Sequence, residues 1–187
     1  MKAFGADKMG MTEQEIADTV TMWRDSSPQI VEMWRSLERA ARKTISRKVP
    51  AVSEIGNIKF EMEKNIMWMT LPSGRRMAYY DPRIETSGDR SAISYIHGKT
   101  RVTTFGGKLV ENAVQAIARD CLRESMMALD AAGYDIRAHV HDEVIISVPI
   151  GQSSVEEVAE IMGRPLSWAP GLPLRGDGYE TPYYLKD

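Results

Sequence analysis

The longest periodic segment of the sequence runs from Lys108 to Ala132 and predicts a single buried helix. Its apolar side chains recur at steps of three and four residues, at Val110, Ala113, Val114, Ile117, Ala118, Cys121, Leu122 and Leu129. Gly133 then has the position of the left-handed residue that ends many helices. The side opposite the apolar stripe carries Asn112, Gln115, Arg119 and Arg123, which are residue types that can face water or contact nucleic acid.

A hairpin is predicted directly after this helix, in the stretch His139-Val140-His141-Asp142-Glu143-Val144-Ile145-Ile146. Apolar residues occur at even-numbered positions, and alternate residues of a strand point to the same face of a sheet. This pattern predicts a single apolar face formed by Ala138, Val140, Val144, Ile146 and Val148. The break in this pattern indicates a tight turn at His141-Asp142. Such a turn holds the carboxylates of Asp142 and Glu143 away from the core, which suits binding of a divalent cation. An ordinary acidic turn that only faces solvent is the alternative.

Two helices are predicted before any strand. Thr12 and Glu15 form the pattern of a capping box, followed by a helix of about ten residues. Ser27-Pro28 then starts a long second helix, whose apolar stripe consists of Ile30, Trp34, Leu37, Ala41 and Ile45. Its other faces carry six cations, Arg35, Arg39, Arg42, Lys43, Arg47 and Lys48, which are either a solvated surface or a surface for phosphates.

A two-residue period from Ile58 onward predicts strands. Residues 66–80 are predicted to form a hairpin around Pro72-Ser73-Gly74 that ends before Asp81-Pro82, and residues 84–90 are predicted to be a loop. A second strand pair is expected at 92–97 and 102–105. After the hairpin at Asp142, a short helix is expected to Met162, followed by an irregular but docked tail. The predicted fold class is α+β, with an antiparallel sheet holding that hairpin against the long buried helix.

Composition excludes several classes of protein. The chain has 187 residues and is 43% hydrophobic, which is enough for one compact domain or two small subdomains. A formal net charge of -2 excludes a globally basic nucleic-acid binder. Cys121 is the sole cysteine, so an internal disulfide framework is impossible, and we interpret it as a core thiol. No apolar run is long enough for a membrane span and no signal peptide is evident, so we expect a cytoplasmic protein.

Four segments of the sequence carry a family resemblance, namely Thr104-Phe105-Gly106-Gly107-Lys108-Leu109-Val110-Glu111-Asn112, Gln115-Ala116-Ile117-Ala118-Arg119-Asp120, Ala132-Gly133-Tyr134 and His139-Val140-His141-Asp142-Glu143. In these segments the sequence resembles the family A DNA polymerases of the phage and prophage type. Leu71-Pro72-Ser73-Gly74-Arg75 is similar to the segment between fingers and palm, and Lys2-Ala3-Phe4-Gly5-Ala6 is similar to the segment after the nucleotide-binding helix. The resemblance implies a helical part of the fingers at 1–57, and a palm with a C-terminal tail at 58–187.

The resemblance also implies roles for single residues. Asp142 matches the second metal-binding aspartate of the palm, Glu143 its neighbour in the motif, and His141 the histidine beside the primer terminus. The residues that match or lie near DNA contacts are Gln115, Asn112, Arg75 and Arg119. The cellular enzymes have an asparagine four residues before the glutamine, where this sequence has Glu111.

The same resemblance implies a two-metal magnesium site that needs a further aspartate from an earlier palm strand. Neither that strand nor the helix that binds the incoming dNTP is recognisable in this sequence. We therefore expect the C-terminal part of a polymerase, nearly inactive alone, with primer-template DNA, dNTP and an N-terminal polymerase segment as partners.

Other functions remain open at this point. The alternative is a non-catalytic DNA-binding or interaction module derived from a polymerase. A metal-dependent nuclease is less favoured because only one adjacent carboxylate pair is available. His97, His139 and His141 could suggest a zinc site, and His139 and His141 are predicted to share one side of a strand. The site is disfavoured because no cysteine partner lies near them.

Overall fold

The computed structural model describes residues 10–88 and 90–184. The segment Lys2–Ala6, which contributed to the family resemblance, lies outside the described residues. The elements are α1 (Glu13–Ser26), α2 (Pro28–Arg47), β1 (Ala51–Val52), β2 (Lys59–Glu63), β3 (Ile66–Thr70), β4 (Arg76–Ser87), β5 (Arg90–His97), β6 (Thr100–Thr104), α3 (Gly106–Ala131), β7 (Asp135–Val140), β8 (Glu143–Ser147) and α4 (Val155–Met162). The predicted α+β class is confirmed. No helix in the described ranges combines the length and apolar character that a membrane span requires.

The chain divides into two compact units. The first comprises the residues through Thr70 together with Arg76–Glu111, and the second comprises Leu71–Arg75 and the residues from Asn112 onward. The chain therefore passes between the two units more than once, and its last passage, from Glu111 to Asn112, falls inside α3. The predicted subdomain border at residue 57 stays a prediction.

The first unit contains a six-stranded antiparallel sheet in which the strands β1 to β6 neighbour one another in chain order. Helix α2 packs against β1, β2 and β4. Side chains that are buried in this unit come from both layers, namely Leu37, Ala41 and Ile45 of α2 and Phe60, Met67, Met69 and Ile93 of the sheet. The stripe predicted for α2 is therefore confirmed over its C-terminal half, whereas Ile30 at its N-terminal end is 44% exposed.

The capping box predicted at the first helix is present. The Thr12 hydroxyl accepts a hydrogen bond from the Glu15 backbone N–H at 3.2 Å, and a Glu15 carboxylate oxygen accepts one from the Thr12 backbone N–H at 2.8 Å. The reciprocal pair satisfies two N–H groups that a helix start leaves unpaired. The helix has 14 residues, which is longer than the predicted length of about ten, and it ends at Ser26, with Ser27 as the single residue before α2.

The loop predicted at residues 84–90 is wrong, since β4 continues to Ser87 and pairs with β5 from Arg90. Strand β4 passes Asp81-Pro82 by a register shift between Tyr80 and Arg83, and Asp81 has a left-handed φ of 44°. A bulge tolerates proline because the extra residue leaves the ladder. The Asn65 side-chain amide donates to the Asp81 carboxylate at 3.0 Å, and this bond, with the nearby Arg83 and Arg101 guanidinium groups, lowers the pKa of Asp81.

In the second unit, the part of α3 from Asn112 onward has a narrower buried face than the sequence predicts. Ala113, Leu122 and Leu129 are buried, whereas Val114 and Ala118 are exposed. Gly133 has φ 87°, which confirms its predicted left-handed role after the helix. The hairpin β7–β8 forms a sheet of its own.

The tail after α4 is irregular, as predicted, and it is docked at Gly176, whereas the predicted anchors Tyr179 and Tyr183 are 51% and 65% exposed. Helix α4 starts with a second capping box, between Ser154 and Glu157. The backbone of Gly176 lies so close to this helix that a Cβ atom there would be 2.8 Å from the Ala159 Cα. The tail is therefore held directly against the α4 backbone.

The start of α3, in the first unit, lies against α2 without space for a side chain. A Cβ atom at Gly106 would be 2.1 Å from the Trp34 carbonyl oxygen. The Gly106 N–H donates to a carboxylate oxygen of Glu38 at 2.8 Å, so that α2 supplies the acceptor for the first N–H of α3. The helix begins at Gly106, two residues before the predicted start at Lys108.

This close approach predicts different outcomes for two adjacent glycines. We expect Gly106→Ala to lower the free energy of unfolding by about 2–3 kcal/mol, because the Trp34 carbonyl belongs to a rigid helix backbone and cannot give way cheaply. Gly107→Ala is the matched control, since its Cβ would meet side chains and no backbone: the exposed Phe105 ring at 3.0 Å and the Trp34 ring at 3.8 Å. Urea unfolding of the 187-residue chain measures both. Equal stability of the two variants would contradict the close contact.

Candidate functional site

The hairpin tip has the predicted tight turn. Val140 and Glu143 pair across the two strands, so His141 and Asp142 alone form the connection. His141 takes the left-handed conformation, with φ 53°. This geometry places Asp142 in the turn and Glu143 at the first position of β8.

The predicted grouping of apolar residues on one face of the hairpin is wrong. Cross-strand partners point to the same face of an antiparallel pair. Because Val140 pairs with Glu143 and His139 pairs with Val144, a two-residue connection reverses the parity between the strands. Val140 therefore shares its face with Ile145, and Val144 lies on the opposite face. A further register shift between Ile136 and Ala138 displaces the parity again in β7.

Both faces of the hairpin retain contact with solvent. Every residue from Asp135 to Ser147 is described, and none of them is fully buried. The apolar side chains of Val140, Val144, Ile145 and Ile146 are half-buried. An antiparallel sheet usually packs one face on a core, so this hairpin has less cover than such sheets normally have.

The carboxylates of Asp142 and Glu143 are exposed. Among the described residues, neither carboxylate has a hydrogen-bonding or ion-pair partner, in contrast to Asp81 or Asp120 in the same chain. Carboxylates are the hard oxygen donors that Mg²⁺ prefers, so the tip fits a magnesium ligand in donor type. The described residues contain no group of three or more His, Cys, Asp or Glu side chains that could hold a metal ion.

The histidines considered for zinc are not arranged as the sequence pattern predicts. His139 lies in β7 and His141 lies in the turn, so the two do not share one side of a strand.

One predicted DNA contact, Arg119, lies against the hairpin. Its Nη1 is 3.1 Å from His139 Nδ1 and its Nη2 is 3.1 Å from His139 Nε2. A neutral imidazole has a single acceptor nitrogen, so one of these contacts is a hydrogen bond in which the guanidinium donates. Gln115 lies one helical turn before Arg119 and is exposed, while Asn112 is half-buried. The contact joins the polar side of α3 to the strand that leads into the Asp142 turn.

Arg75, a further predicted DNA contact, is bound to the protein itself. Its Nε donates to the Asp120 carboxylate at 2.5 Å, and its Nη2 donates to the Ala116 carbonyl at 2.6 Å. The Ser73 hydroxyl donates to the other Asp120 oxygen, also at 2.5 Å. Asp120 is only 2% exposed. The segment Leu71–Arg75 is thereby held on α3 by a buried carboxylate whose two oxygens are both satisfied.

The sequence carried a signal for Asp120 that the predicted site did not use. Asp120 follows Ala116 by four residues and Ala113 by seven, and both alanines are buried. A charged residue on the buried side of a helix requires a buried partner. Nothing local in the sequence identifies Arg75 and Ser73 as the partners, because they precede Asp120 by 45 and 47 residues.

Cys121 is half-buried rather than fully inside the core. Burial, and secondarily the neighbouring Asp120 carboxylate, raise the pKa of its thiol above the ordinary value. The thiol therefore stays protonated near neutral pH, which fits the predicted structural role.

Comparison with known proteins finds similarity along nearly the whole chain. Over 98% of its length, the chain is similar to part of a DNA polymerase. That polymerase is from Bacillus phage SP02, and the two are 44% identical over 191 aligned residues. The chain spans 29% of the length of the phage protein. No protein-family model matches the chain, and no solved structure matches it.

The buried carboxylate leads to a stability prediction. Asp120→Asn keeps the size of the side chain but removes the charge, and we expect it to lower the free energy of unfolding by about 1–3 kcal/mol. Part of the cost is offset because Arg75 is 40% exposed and can turn to solvent. Asp130→Asn, at an exposed position of the same helix, is the control and should change stability by less than about 0.5 kcal/mol. Thermal or urea unfolding measures the stability of both variants. An unchanged free energy of unfolding for Asp120→Asn would contradict a stabilising role for the bonds that Arg75 and Ser73 make to Asp120.

Proposed function

We propose that this chain supplies the metal-binding hairpin and part of the primer-template surface of a family A DNA polymerase. The observation that carries the proposal is the tip of the β7–β8 hairpin, where two adjacent carboxylates are exposed and unpaired within the described residues. The similarity to the phage polymerase supports the same conclusion, since it extends along nearly the whole chain.

Magnesium ions in such an enzyme stabilise charge on the attacking and leaving oxygens of phosphoryl transfer. Asp142 and Glu143 would hold the metal, and their exposure leaves both carboxylates accessible to it. An exposed pair on a turn is also unobstructed for a primer terminus, beside which His141 would lie. The left-handed turn at His141 directs the connection between the strands and so presents Asp142 at the end of the hairpin.

DNA would lie along the polar side of α3. Gln115 and Arg119 are exposed there, and Gln115 would contact base edges or sugars in the minor groove. Asn112 and Arg75 are weaker candidates, because Asn112 is half-buried and Arg75 already binds Asp120 and the Ala116 carbonyl. Arg119 would serve two purposes, as a cation near phosphates and as the contact that holds His139.

A further polymerase segment is part of the proposal. It would provide the second aspartate and the helix that binds dNTP, and the 187-residue chain alone would be nearly inactive. The half-buried apolar residues on both hairpin faces support this, since another layer of protein would cover them. In this assignment residues 1–57 belong to the fingers and residues 58–187 to the palm and tail.

A non-catalytic DNA-binding module is the alternative, and the basic residues of α2 bear on it. Arg39 pairs with Glu32 at 2.8 Å and with Glu54 at 2.7 Å, and Arg42 pairs with Glu38 at 2.8 Å. Internal pairing leaves less free positive charge than the sequence suggests. This arrangement favours the polymerase assignment over binding by a basic helix alone.

The decisive experiment uses a chimera in which this chain replaces the matching 29% of the Bacillus phage SP02 polymerase. We expect magnesium-dependent primer extension by the chimera. Asp142→Asn should reduce the rate of primer extension at least about a hundredfold, because the loss of one preorganised electrostatic contact to a transition state typically has an effect of this size. Asp135→Asn is the matched control at the base of the same hairpin and should extend primers at the parent rate.

Duplex binding measured in parallel separates the two candidate functions. The polymerase assignment predicts that Asp142→Asn still binds primer-template DNA while losing extension. Full extension by Asp142→Asn would refute the metal role. A chimera that binds duplex with strong salt dependence but never extends it would favour the binding module.

A further inference from the structure

An open cavity of about 250 Å³ lies in the first unit, where the end of α1, the exposed side of α2 and the start of α3 meet. None of its described lining residues is predicted for catalysis, and Arg35 is the one that belongs to the six cations of α2 that could face phosphates. The side chains that matter for its chemistry are Arg24, Trp34, Arg35, Glu38 and Phe105.

Aromatic rings form much of this surface. Phe105 is 63% exposed, although it is a large apolar residue placed directly between β6 and α3. Trp34 stacks on Trp23 with 5.6 Å between ring centroids and 17° between planes, and Trp23 is itself 43% exposed. Phe105 and Trp23 therefore keep much of their surface in contact with solvent, whereas Trp34 is half-buried and has one ring face covered by Trp23.

Gly107 keeps the space between two of these rings open. A Cβ atom at this position would lie 3.0 Å from Phe105 Cε2 and 3.8 Å from Trp34 Cδ2. Any side chain would thus occupy the region between the two rings. Glycine at this position therefore keeps that region free of a side chain.

The charge around the cavity is positive. Arg24 and Arg35 line it, and the Arg35 guanidinium is 3.7 Å from its nearest carboxylate, Glu32, a long contact for an ion pair. Glu38 is the single carboxylate among the described lining residues, and it is already bound by the Gly106 N–H and by Arg42, each at 2.8 Å. Within the described part of the chain, the cavity consequently offers two cations and no free anion.

We propose that this cavity binds an unpaired base of single-stranded DNA, which stacks on Phe105 and Trp34 while Arg24 and Arg35 contact the adjoining phosphates. Aromatic platforms flanked by cations are the general means of binding single strands without reading their sequence. The positive rim favours a polyanion over an apolar protein segment. The proposal rests on the proposed function only for DNA as the ligand, because it involves neither Asp142 nor a metal.

The test is binding of the 187-residue chain to an oligo-dT of about ten nucleotides, within the range of single-strand site sizes. EDTA is present throughout, and tryptophan quenching and fluorescence anisotropy are measured. Phe105→Leu retains apolar bulk but loses the stacking face, and we expect about tenfold weaker binding. Tyr183→Leu removes another aromatic ring of similar exposure, 65%, and should bind as the parent does.

Two further measurements identify stacking as the cause. Gly107→Ala, which should fold normally, narrows the space between the rings and should also weaken binding. An abasic oligonucleotide offers no base, so parent and Phe105→Leu should bind it equally. Unchanged oligo-dT affinity of folded Phe105→Leu, or the same loss with the abasic strand, would overturn the proposal. Oligo-dT binding is measured in EDTA whereas primer extension requires magnesium, so the two results can fail independently.

Discussion

The buried carboxylate of Asp120 sets the orientation of the central helix in the second unit. Its two oxygens are bound by Arg75 and Ser73, so the helix cannot rotate without leaving a charge unpaired in a low-dielectric site. With Asp120 directed inward, the helical period turns Gln115 and Arg119 toward solvent. One polar interaction thus decides which side of α3 is available to a ligand, and it does so with residues that are far apart in the chain.

The hairpin is supported differently from the helix. It has no fully buried side chain, and its two strands form a sheet of their own, so packing contributes little to its position. The contact of Arg119 with His139 links its first strand to α3. The carboxylates of Asp142 and Glu143 are exposed and have no partner within the described residues, so they add no stability at the tip but are accessible to a cation. The low burial of the hairpin is therefore compatible with the proposed binding of a metal at its tip.

Signals between near neighbours were sufficient to predict much of the fold. The capping box at Thr12, the proline that starts α2, the glycine after α3 and the turn at His141-Asp142 each depend on residues within a few positions, and each is confirmed. Predictions failed where the pairing between neighbouring strands decided the outcome. The polar segment at 84–90 became a strand because β5 supplies its hydrogen-bond partners, and the apolar parity of the hairpin was reversed by its two-residue connection.

The sequence by itself determined the order of helices and strands, the α+β class and the position of the carboxylate pair on a tight turn, because periodicity and turn chemistry are local properties. Tertiary structure alone decided that Arg75 binds Asp120, that Arg119 meets His139, and that Phe105 and Trp34 surround an open cavity. Those contacts join residues that lie 20 to 71 positions apart, and no local pattern specifies a partner at such a distance. These contacts depend on burial, because a buried polar group needs a partner. Only the folded chain determines which polar groups are buried and which aromatic rings stay exposed to water.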